Sequence, residues 1–393
     1  MKVLCLIDSV GSGGAQRQLC TLAVLMKRRG IDVSMLTYYP YDFFLPILQH
    51  EGIEYKCIEN RSIAGRILAL RSELRRGTQD VVLAFLDGPN LYAELASIPR
   101  RKWGLVVSER SAVPGSYRGR RRWWRMLHRL TDYVTTNSHT NRLMIERSVP
   151  RMIGRVITVY NVIDLETFYP LPDPLPTKES SIRLLAVASF RGLKNPLGFI
   201  KALAMARGQE PAFDICLDWY GRLPDRKYDA PDHDLYNAVI ALIEKQGLQD
   251  KVRFHPPSND ILALYRRSDV VVLPSFYEGL SNVVCEAMAC GRPVLASNVS
   301  DIGNLVKDGY NGYLFEPTSI DDMTQAILRF AKLSAADRES LGQRGRQMAQ
   351  RMFNPETVVN RYVEILTAAA AREHVYIEHW VPEVPDSTYR SLI

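Results

Sequence analysis

The stretch 270–296 reads VVVLPSFYEGLSNVVCEAMACGRPVLA, and its pattern decides the fold class. The first four residues are apolar and mostly β-branched, which is typical of a strand buried on both faces of a parallel sheet. After a short loop, the apolar spacing predicts a helix over residues 280–290. Gly291 stands where a helix C-cap belongs, and Pro293 precedes an apolar run that predicts a second strand. The stretch therefore predicts a strand, a loop, a helix and a strand, as in an α/β fold.

The loop of this unit is predicted to bind a ligand, because open α/β sheets bind ligands at the carboxyl ends of their strands. The backbone N–H groups of Leu280, Ser281 and Asn282 would face an anion, and a phosphate fits. Since a phosphate repels carboxylates, Glu278 in the loop and Glu286 in the helix are better suited to accept hydrogen bonds from sugar hydroxyls. The pattern favours a nucleotide sugar. The alternative is that both glutamates are solvated surface residues.

The two glutamates, Gly279 and the run AMACGRPV at 287–294 resemble the E-x7-E motif of the retaining family 4 glycosyltransferases. This resemblance implies the GT-B fold, in which two Rossmann-like α/β domains face each other across a cleft. It implies that Glu278 contacts the transferred sugar and that Glu286 contacts the ribose of the nucleotide. It also implies a nucleotide-sugar donor. We see no metal-ligand cluster in the sequence, so we expect no metal and no cofactor besides the donor substrate.

The composition of the chain indicates its number of domains and its cellular compartment. The chain has 393 residues, of which 46% are hydrophobic and 24% charged, so two globular domains are expected. The six cysteines form no C-x-x-C pair, and we interpret them as free thiols in a reducing compartment. We also find no signal-peptide pattern and no apolar run of about 18 residues. These observations predict a cytoplasmic protein.

The net charge of +7 is unevenly distributed along the chain. Residues 1–170 contain 25 Lys and Arg against 15 Asp and Glu, a balance of +10, whereas the remainder has a balance of −3. We therefore expect the first half to meet a negative partner. A lipid-linked diphosphate acceptor and an anionic membrane both fit.

The N-terminal residues predict a second ligand loop, in a βαβ unit with strands at 2–7 and 33–38. Gly13 and Gly14 lie at the start of the intervening helix, the usual place for a phosphate, and we assign them to donor binding. A dinucleotide site is the rival, but Gln16 replaces the third glycine of its fingerprint and the second strand ends without an acid. The run GGAQRQL instead resembles the GGAERxL opening of the same glycosyltransferase family. There the glycines bring the backbone close to the donor phosphate or the acceptor.

Glu109 and Arg110 follow another predicted strand, and we assign them to the acceptor side. Many family members have a histidine where this chain has Arg110, so the role of that histidine is not carried over.

The segment 118–129, RGRRRWWRMLHR, contains six arginines and two tryptophans. Wound as a helix, it has an apolar face with Trp and an opposite face rich in Arg, which fits a helix lying on an anionic membrane. The alternative, which we weigh equally, is a helix that packs its apolar face in the domain core and solvates its arginines. No recognised nucleic-acid-binding motif accompanies the basic run, so nucleic acid is not an expected partner. The membrane residues in the first interpretation are Arg121, Arg122, Trp123, Trp124 and Arg125.

Lys194 and Arg191 follow the first predicted strand of the second half. The family pattern at this place is G-R-L-x-x-x-K, and its Arg and Lys hold the donor diphosphate. Lys194 fits that register, whereas Arg191 stands two residues late. Without the resemblance, a solvated lysine would be the preferred interpretation.

These observations predict an acceptor-binding domain over 1–170, a proline-rich linker over 171–181 and a nucleotide-sugar-binding domain over 182–350. A helix over 351–373 could cross back to the first domain, and 374–393 form a tail. The resemblance implies a retaining, metal-independent hexosyltransferase that acts on a glycan or lipid-linked acceptor in surface polysaccharide biosynthesis, such as lipopolysaccharide. We expect it in the cytoplasm, peripheral on the inner face of the plasma membrane. The alternatives are a non-hydrolysing sugar-nucleotide epimerase of the same fold and a non-catalytic, membrane-associated partner subunit.

Overall fold

The structure is a computed structural model that describes residues 1–60, 62–110, 124–171, 181–225 and 230–373. The chain divides into two compact units. The first unit consists of Met1–Val162 together with the segment that begins at Pro355, and the second unit is Ile163–Asn354. Most of the predicted linker, the predicted tail, and the predicted membrane residues Arg121, Arg122 and Trp123 lie outside the described residues.

The first unit is built on one sheet of seven parallel strands. Numbered along the chain, they are β1 Lys2–Leu6, β2 Asp32–Thr37, β3 Glu54–Cys57, β4 Val81–Phe85, β5 Gly104–Glu109, β6 Tyr133–Thr136 and β7 Val156–Thr158. Their spatial order is β3-β2-β1-β4-β5-β6-β7. The central strand β4 is wholly apolar and buried along its length, as a parallel strand covered on both faces must be.

The second unit repeats this plan with six parallel strands. They are β8 Ser181–Val187, β9 Asp214–Tyr220, β10 Val252–His255, β11 Val270–Leu273, β12 Val294–Ser297 and β13 Gly312–Phe315. The spatial order is β10-β9-β8-β11-β12-β13. Two parallel sheets with helices confirm the predicted α/β class.

Most of the helices connect successive strands, and the last three follow the final strand β13. Numbered along the described residues, they are α1 Gly14–Arg28, α2 Leu45–His50, α3 Ile63–Arg76, α4 Asp87–Ala96, α5 His139–Ser148, α6 Pro196–Gln209, α7 Ala230–Lys245, α8 Ile261–Arg267, α9 Asn282–Ala289, α10 Ile302–Leu305, α11 Ile320–Ala331, α12 Ala335–Met352 and α13 Pro355–Ala371. Short 3₁₀ turns occur at Met126–Leu130, Pro150–Met152 and Gly192–Lys194.

The stretch that opened the sequence analysis folds as its pattern predicts, with one refinement at the helix start. Ser281 keeps an extended backbone, and its side chain accepts a hydrogen bond from the backbone N–H of Val284, so it is the N-cap of α9. The helix therefore begins at Asn282, two residues later than predicted. At the other end, Gly291 has a φ of +65°, the left-handed conformation that glycine adopts most easily after a helix.

In each sheet the strand order reverses at one place, between β1 and β4 in the first unit and between β8 and β11 in the second. Loops that leave the carboxyl ends of two such neighbouring strands diverge to opposite faces of the sheet and leave a crevice. A binding site is therefore expected at the loops after β8 and β11 in the second unit, and at those after β1 and β4 in the first.

The last described helix, α13, belongs to the first unit and covers β4 and β5. Its apolar face, including Val358, Ile365 and Ala369, enters the same core as β1 and α1. The approach to β5 is close, because a Cβ added at Gly104 would lie 2.3 Å from the carbonyl oxygen of Ala369. A side chain larger than hydrogen at Gly104 is therefore incompatible with this packing.

Gly104→Ala should destabilise the chain by about 1–3 kcal/mol, because the strand and the helix must separate to admit the methyl group. The matched control is Gly208→Ala in α6, where no atom lies within 4 Å of the added Cβ. The control should be neutral or stabilising by up to about 1 kcal/mol through helix propensity. Urea unfolding measures both, and equal stability of the two variants would contradict the close approach.

Candidate functional site

The second unit brings two predicted site residues together at the crevice between β8 and β11. Lys194 ends the 3₁₀ turn after β8, and Glu278 lies in the loop after β11. The Lys194 Nζ atom lies 2.6 Å from the Glu278 Oε1 atom. Their side chains are 22% and 12% exposed, so the pair is largely shielded but still reachable from solvent.

Glu278 is held by further hydrogen bonds from its own loop and a neighbouring one. The hydroxyl of Ser275 donates to Glu278 Oε1 at 2.6 Å, and the hydroxyl of Ser300 donates to the Glu278 carbonyl oxygen. The backbone N–H of Phe276 donates to the carbonyl oxygen of Leu193 at 2.9 Å, which ties this loop to the turn that carries Lys194. The carboxylate is therefore fixed in place before any ligand binds.

Asn195 fixes the backbone directly after Lys194. Its backbone is left-handed, with a φ of +54°, and its side chain accepts a hydrogen bond from the backbone N–H of Gly198 as the N-cap of α6. Its amide nitrogen also donates to the carbonyl oxygen of Pro317 at 2.8 Å. Asn195 was not predicted, although an Asn-Pro pair ahead of a helix is a turn signal and Asn tolerates the left-handed region.

Glu286 lies inside the helix α9 and is 4% exposed, so its interpretation as a solvated surface residue is wrong. Its Oε2 atom accepts a hydrogen bond of 2.9 Å from the hydroxyl of Tyr265, which is fully buried in α8. Tyr265 was not predicted, because nothing in the local pattern shows which residue a tyrosine hydroxyl will meet 21 positions along the chain.

The start of α9 lies directly after Glu278. Gly279 and Leu280 form the approach, Ser281 is the cap, and Asn282 is the first helical residue. The partial positive charge at this end of the helix suits an anion. Arg191, in contrast, is exposed, and we find no residue within the described ranges that pairs with its side chain.

In the first unit the glycine loop leads into α1, whose N-cap is Gly13 and whose first residue is Gly14. Gly13 has no side chain to satisfy the free N–H groups of the first turn. The loop lines an open pocket with Tyr41 and Phe43, and Gln16 donates a hydrogen bond of 2.9 Å to Asp8 beside it. The loop can therefore receive a polar ligand through its backbone.

Glu109, at the end of β5, is buried in a charged network. Both of its oxygens accept hydrogen bonds of 2.7 Å from Arg125, and Oε1 lies 2.8 Å from His128 Nε2. The other ring nitrogen of His128 lies 2.5 Å from Glu94 Oε1, and all four side chains are buried. Glu109 is therefore occupied by protein partners.

Burial and the ionic partners act against each other in this network. Burial alone would lower the pKa of His128, but the two carboxylates outweigh it and raise the pKa to about 10. Burial likewise would raise the pKa of Glu109, but His128 and Arg125 lower it to about 2. For Glu94 burial dominates and raises the pKa. His128 is therefore a cation at neutral pH.

One predicted role on this side, that of Arg125, needs correction. Arg125 was assigned to the membrane face, but it is buried because it neutralises Glu109; Trp124 is 43% exposed. Arg110 is partly buried and donates to Asn161 at 2.6 Å and to the Tyr362 hydroxyl at 3.3 Å. Its contacts therefore join β5 to α13.

Comparison with known proteins agrees with the geometry. A family described as Glycosyl transferases group 1 matches residues 171–348, and Glycosyltransferase Family 4 matches residues 12–167. The chain belongs to the family 4 glycosyltransferases. The predicted resemblance to the family 4 glycosyltransferases is thereby confirmed at the level of the family.

Solved structures confirm the GT-B fold. HepE of Anabaena, crystallised in complex with UDP, superposes with a TM-score of 0.78 and 18% identity over 94% of this chain and 100% of that one. The sucrose-phosphate synthase of Thermosynechococcus elongatus gives a TM-score of 0.76 and 20% identity over 94% and 100%.

Curated relatives match over shorter regions. The D-inositol 3-phosphate glycosyltransferase of an Arthrobacter species is 32% identical over 172 residues, which are 42% of this chain and 39% of the relative. The N-acetyl-alpha-D-glucosaminyl L-malate synthase of Bacillus anthracis is 26% identical over 60% of this chain and 59% of its own length. The chain thus spans about two fifths of the first of these relatives and three fifths of the second.

The network around His128 predicts a pH-dependent stability. His128→Gln should lower the free energy of unfolding by roughly 3–5 kcal/mol at neutral pH, because it leaves the buried Glu94 without its cation and Glu109 with Arg125 alone. The folded-state pKa of about 10 lies above the ordinary 6.5, so the contribution is complete below pH 6.5 and is lost as pH rises through about 10.

Urea unfolding of both proteins between neutral pH and pH 10 measures this difference. The gap between wild type and His128→Gln should narrow steadily over that range. His50→Gln, at an exposed position of the same unit, is the control and should leave stability unchanged. A gap that stays constant with pH would show that His128 carries no charge in the folded state.

Proposed function

We propose that the chain is a retaining, metal-independent hexosyltransferase that moves a sugar from a nucleotide-sugar donor to a glycan or lipid-linked acceptor. The Lys194–Glu278 pair beside the start of α9 is the observation that carries this proposal. It offers a cation and a helix N-terminus for a diphosphate and a carboxylate for sugar hydroxyls. We assign the donor to the second unit and the acceptor to the first.

The names of similar proteins support a nucleotide-sugar donor. HepE was crystallised with UDP and with UDP-glucose, and two curated relatives are named for glycosyl transfer to inositol phosphate and to malate. A lipopolysaccharide outer core galactosyltransferase, WaaB, superposes with a TM-score of 0.70. Surface polysaccharide biosynthesis is our proposal for the process.

Donor binding would exchange the partners of the ion pair. Lys194 is close enough to Glu278 that a diphosphate arriving at the start of α9 would compete for the ammonium group. The lysine would then bind phosphate, and Glu278 would be released to accept hydrogen bonds from the sugar. Ser275 keeps the carboxylate in place during this exchange.

During transfer, negative charge develops on the leaving diphosphate. Lys194 and the N–H groups at the start of α9 are positioned to stabilise that charge, with Arg191 as a further cation on the same turn. Once Lys194 has moved to the phosphate, Glu278 keeps the hydrogen bond from Ser275 and has acceptor capacity free for sugar hydroxyls. We therefore assign it to holding the sugar, and the diphosphate takes the acceptor proton on the same face.

No metal is needed in this scheme, because Lys194 and the helix supply the positive charge. The adjacent acids Asp321 and Asp322 lie in the first turn of α11. Asp322 accepts a hydrogen bond from the backbone N–H of Glu316 at the start of α11, where Ser319 is the N-cap.

The excess positive charge of the first 170 residues supports an anionic partner, and we propose that the protein is peripheral on the inner face of the plasma membrane. Within the described ranges, no helix is long and apolar enough to cross a bilayer.

The two glutamates should separate binding from transfer. Glu286→Ala should weaken donor binding and Glu278→Ala should mainly slow transfer, each by about 1–3 kcal/mol for lost hydrogen bonds to hydroxyls. Tyr265→Phe removes one hydroxyl and should give a smaller loss in the same direction as Glu286→Ala. The control is Tyr310→Phe at an exposed position.

Steady-state kinetics with the donor identified from a nucleotide-sugar panel measure these effects. If both glutamate variants kept the wild-type kcat and KM for the donor, the site would be elsewhere. Product formed from the nucleotide sugar alone, without an acceptor, would indicate an epimerase.

Lys194→Ala should lose far more rate than ground-state affinity for the donor, because its charge acts on the departing diphosphate. Lys201→Ala, on the exposed side of α6, is the control. Transfer should survive EDTA, and NMR of the product should show the anomeric configuration of the donor. An inverted product, or activity lost on chelation and restored by a divalent metal, would refute the mechanism.

A further inference from the structure

We propose that a pocket lined by five arginines at the amino-terminal edge of the first sheet binds the headgroups of an anionic phospholipid bilayer. We call it the arginine pocket; its arginines are Arg100, Arg101, Arg129, Arg155 and Arg372. The inference deepens the proposed membrane association by naming its surface, and it does not depend on the transfer reaction.

The arginines come from four separate segments that meet at one end of the sheet. Arg100 and Arg101 precede β5, Arg129 precedes β6, and Arg155 directly precedes β7. Arg372 follows the end of α13. Three of the segments therefore lie at the amino ends of parallel strands, and Arg372 joins them because α13 ends beside Gly104 at the start of β5. Glu109 and the glycine loop lie at the carboxyl ends.

The one carboxylate lining the pocket is already neutralised. Asp132 Oδ2 lies 2.6 Å from Arg101 Nη2, and the same oxygen accepts a hydrogen bond of 2.7 Å from the backbone N–H of Leu105. Arg101 also donates to two backbone carbonyl oxygens, so its guanidinium is fully engaged.

The remaining four arginines keep their positive charge. Arg155 and Arg372 donate to the backbone carbonyl oxygens of Arg151 and Arg101, and neither bond compensates a charge. We find no carboxylate paired with any of the four among the residues that the structure describes. Such a concentration of cations on one surface is stabilised by an anion, and guanidinium groups match the geometry of phosphate.

Exposed apolar side chains near the arginines favour a bilayer over a free phosphate as the ligand. Ile98 lines the arginine pocket and is 42% exposed, and Ile153, between Arg151 and Arg155 in the chain, is 65% exposed. A soluble phosphate makes no favourable contact with exposed isoleucines. A bilayer has phosphate groups at its surface and, just beneath them, hydrocarbon that can bury the isoleucine side chains.

The arginine pocket also revises the role of the basic segment 118–129. Its Arg125 is turned inward to Glu109, and Arg129 is exposed at the pocket. Membrane attraction therefore does not require the helical face that the sequence predicted. It requires arginines that are distant in sequence and adjacent in the fold.

Vesicle co-sedimentation of the full chain tests the proposal, with phosphatidylcholine vesicles that contain or lack phosphatidylglycerol. The triple variant Arg100→Glu, Arg129→Glu, Arg155→Glu should lose roughly tenfold or more of its affinity for the anionic vesicles. The control triple variant Lys245→Glu, Arg253→Glu, Arg351→Glu makes the same charge change at exposed positions of the second unit and should bind like wild type.

Two further arms separate the possible ligands. Ile98→Ser with Ile153→Ser should weaken vesicle binding, and inorganic phosphate at the same ionic strength as a chloride control should not displace the protein. Unchanged sedimentation of the arginine variant would overturn the proposal, as would equal losses in both triple variants, which would indicate net charge alone. Binding that phosphate abolishes and the isoleucine variant retains would also overturn it, in favour of a free-phosphate site.

Folding and donor binding are checked separately. Thermal unfolding should show that the variants are folded, and a neutral triple variant with Gln in place of Glu should give an intermediate loss of vesicle affinity. Binding of a nucleotide-sugar panel, measured by ligand-observed NMR, should be the same in wild type and in the arginine variant. If the proposed donor site is wrong, wild type will bind no nucleotide sugar by NMR. If this inference is wrong, only the vesicle co-sedimentation will differ from the expected result.

Discussion

The ion pair between Lys194 and Glu278 is the interaction on which the candidate site depends. It forms because β8 and β11 are adjacent and parallel, so the loops at their carboxyl ends meet although the two residues are 84 positions apart. A shielded pair of this kind has a desolvation cost that its own attraction only partly offsets. Such a pair therefore contributes little to the free energy of folding. It is well suited to a site in which an anion displaces the carboxylate from the lysine, since each partner is then fully engaged in the bound state.

In the first unit, the buried charged side chains at the end of β5 pair with one another and not with a ligand. Glu94, Glu109, Arg125 and His128 satisfy one another within the protein and leave no strong cation facing a ligand. A closed network holds β5, α4 and the 3₁₀ turn at 126–130 in one arrangement. Its cations are also removed from the surface. The network buries charges of both signs, so it does not account for the excess positive charge of the first 170 residues, and the exposed positive charge has to be located from the fold.

The sequence predicts best those elements that are buried on both faces. Strands such as β4 and β11 are continuous apolar runs, which few other structures produce. The strand β3 was missed because it lies at the sheet edge, where its side chains alternate between exposed and half-buried and two of its four residues are charged.

The site was predicted in part. Glu278, Glu286 and Lys194 belong to motifs, whereas Tyr265 acts through a contact that local spacing does not encode. Arg125 was misplaced because local spacing does not show that it pairs with Glu109, which lies 16 positions earlier in the chain.

A bilayer at the arginine pocket would constrain the acceptor. The pocket lies at the amino end of β5 and Glu109 at its carboxyl end, so a strand of six residues, about 17 Å of extended chain, separates the two edges. An acceptor hydroxyl at the plane of the headgroups could not reach the loops at the carboxyl edge without leaving the membrane. A sugar at the end of an oligosaccharide long enough to span this distance could. The position of the basic surface at the opposite edge from the ligand loops thus favours an acceptor that extends away from its lipid over one whose accepting group lies at the bilayer surface.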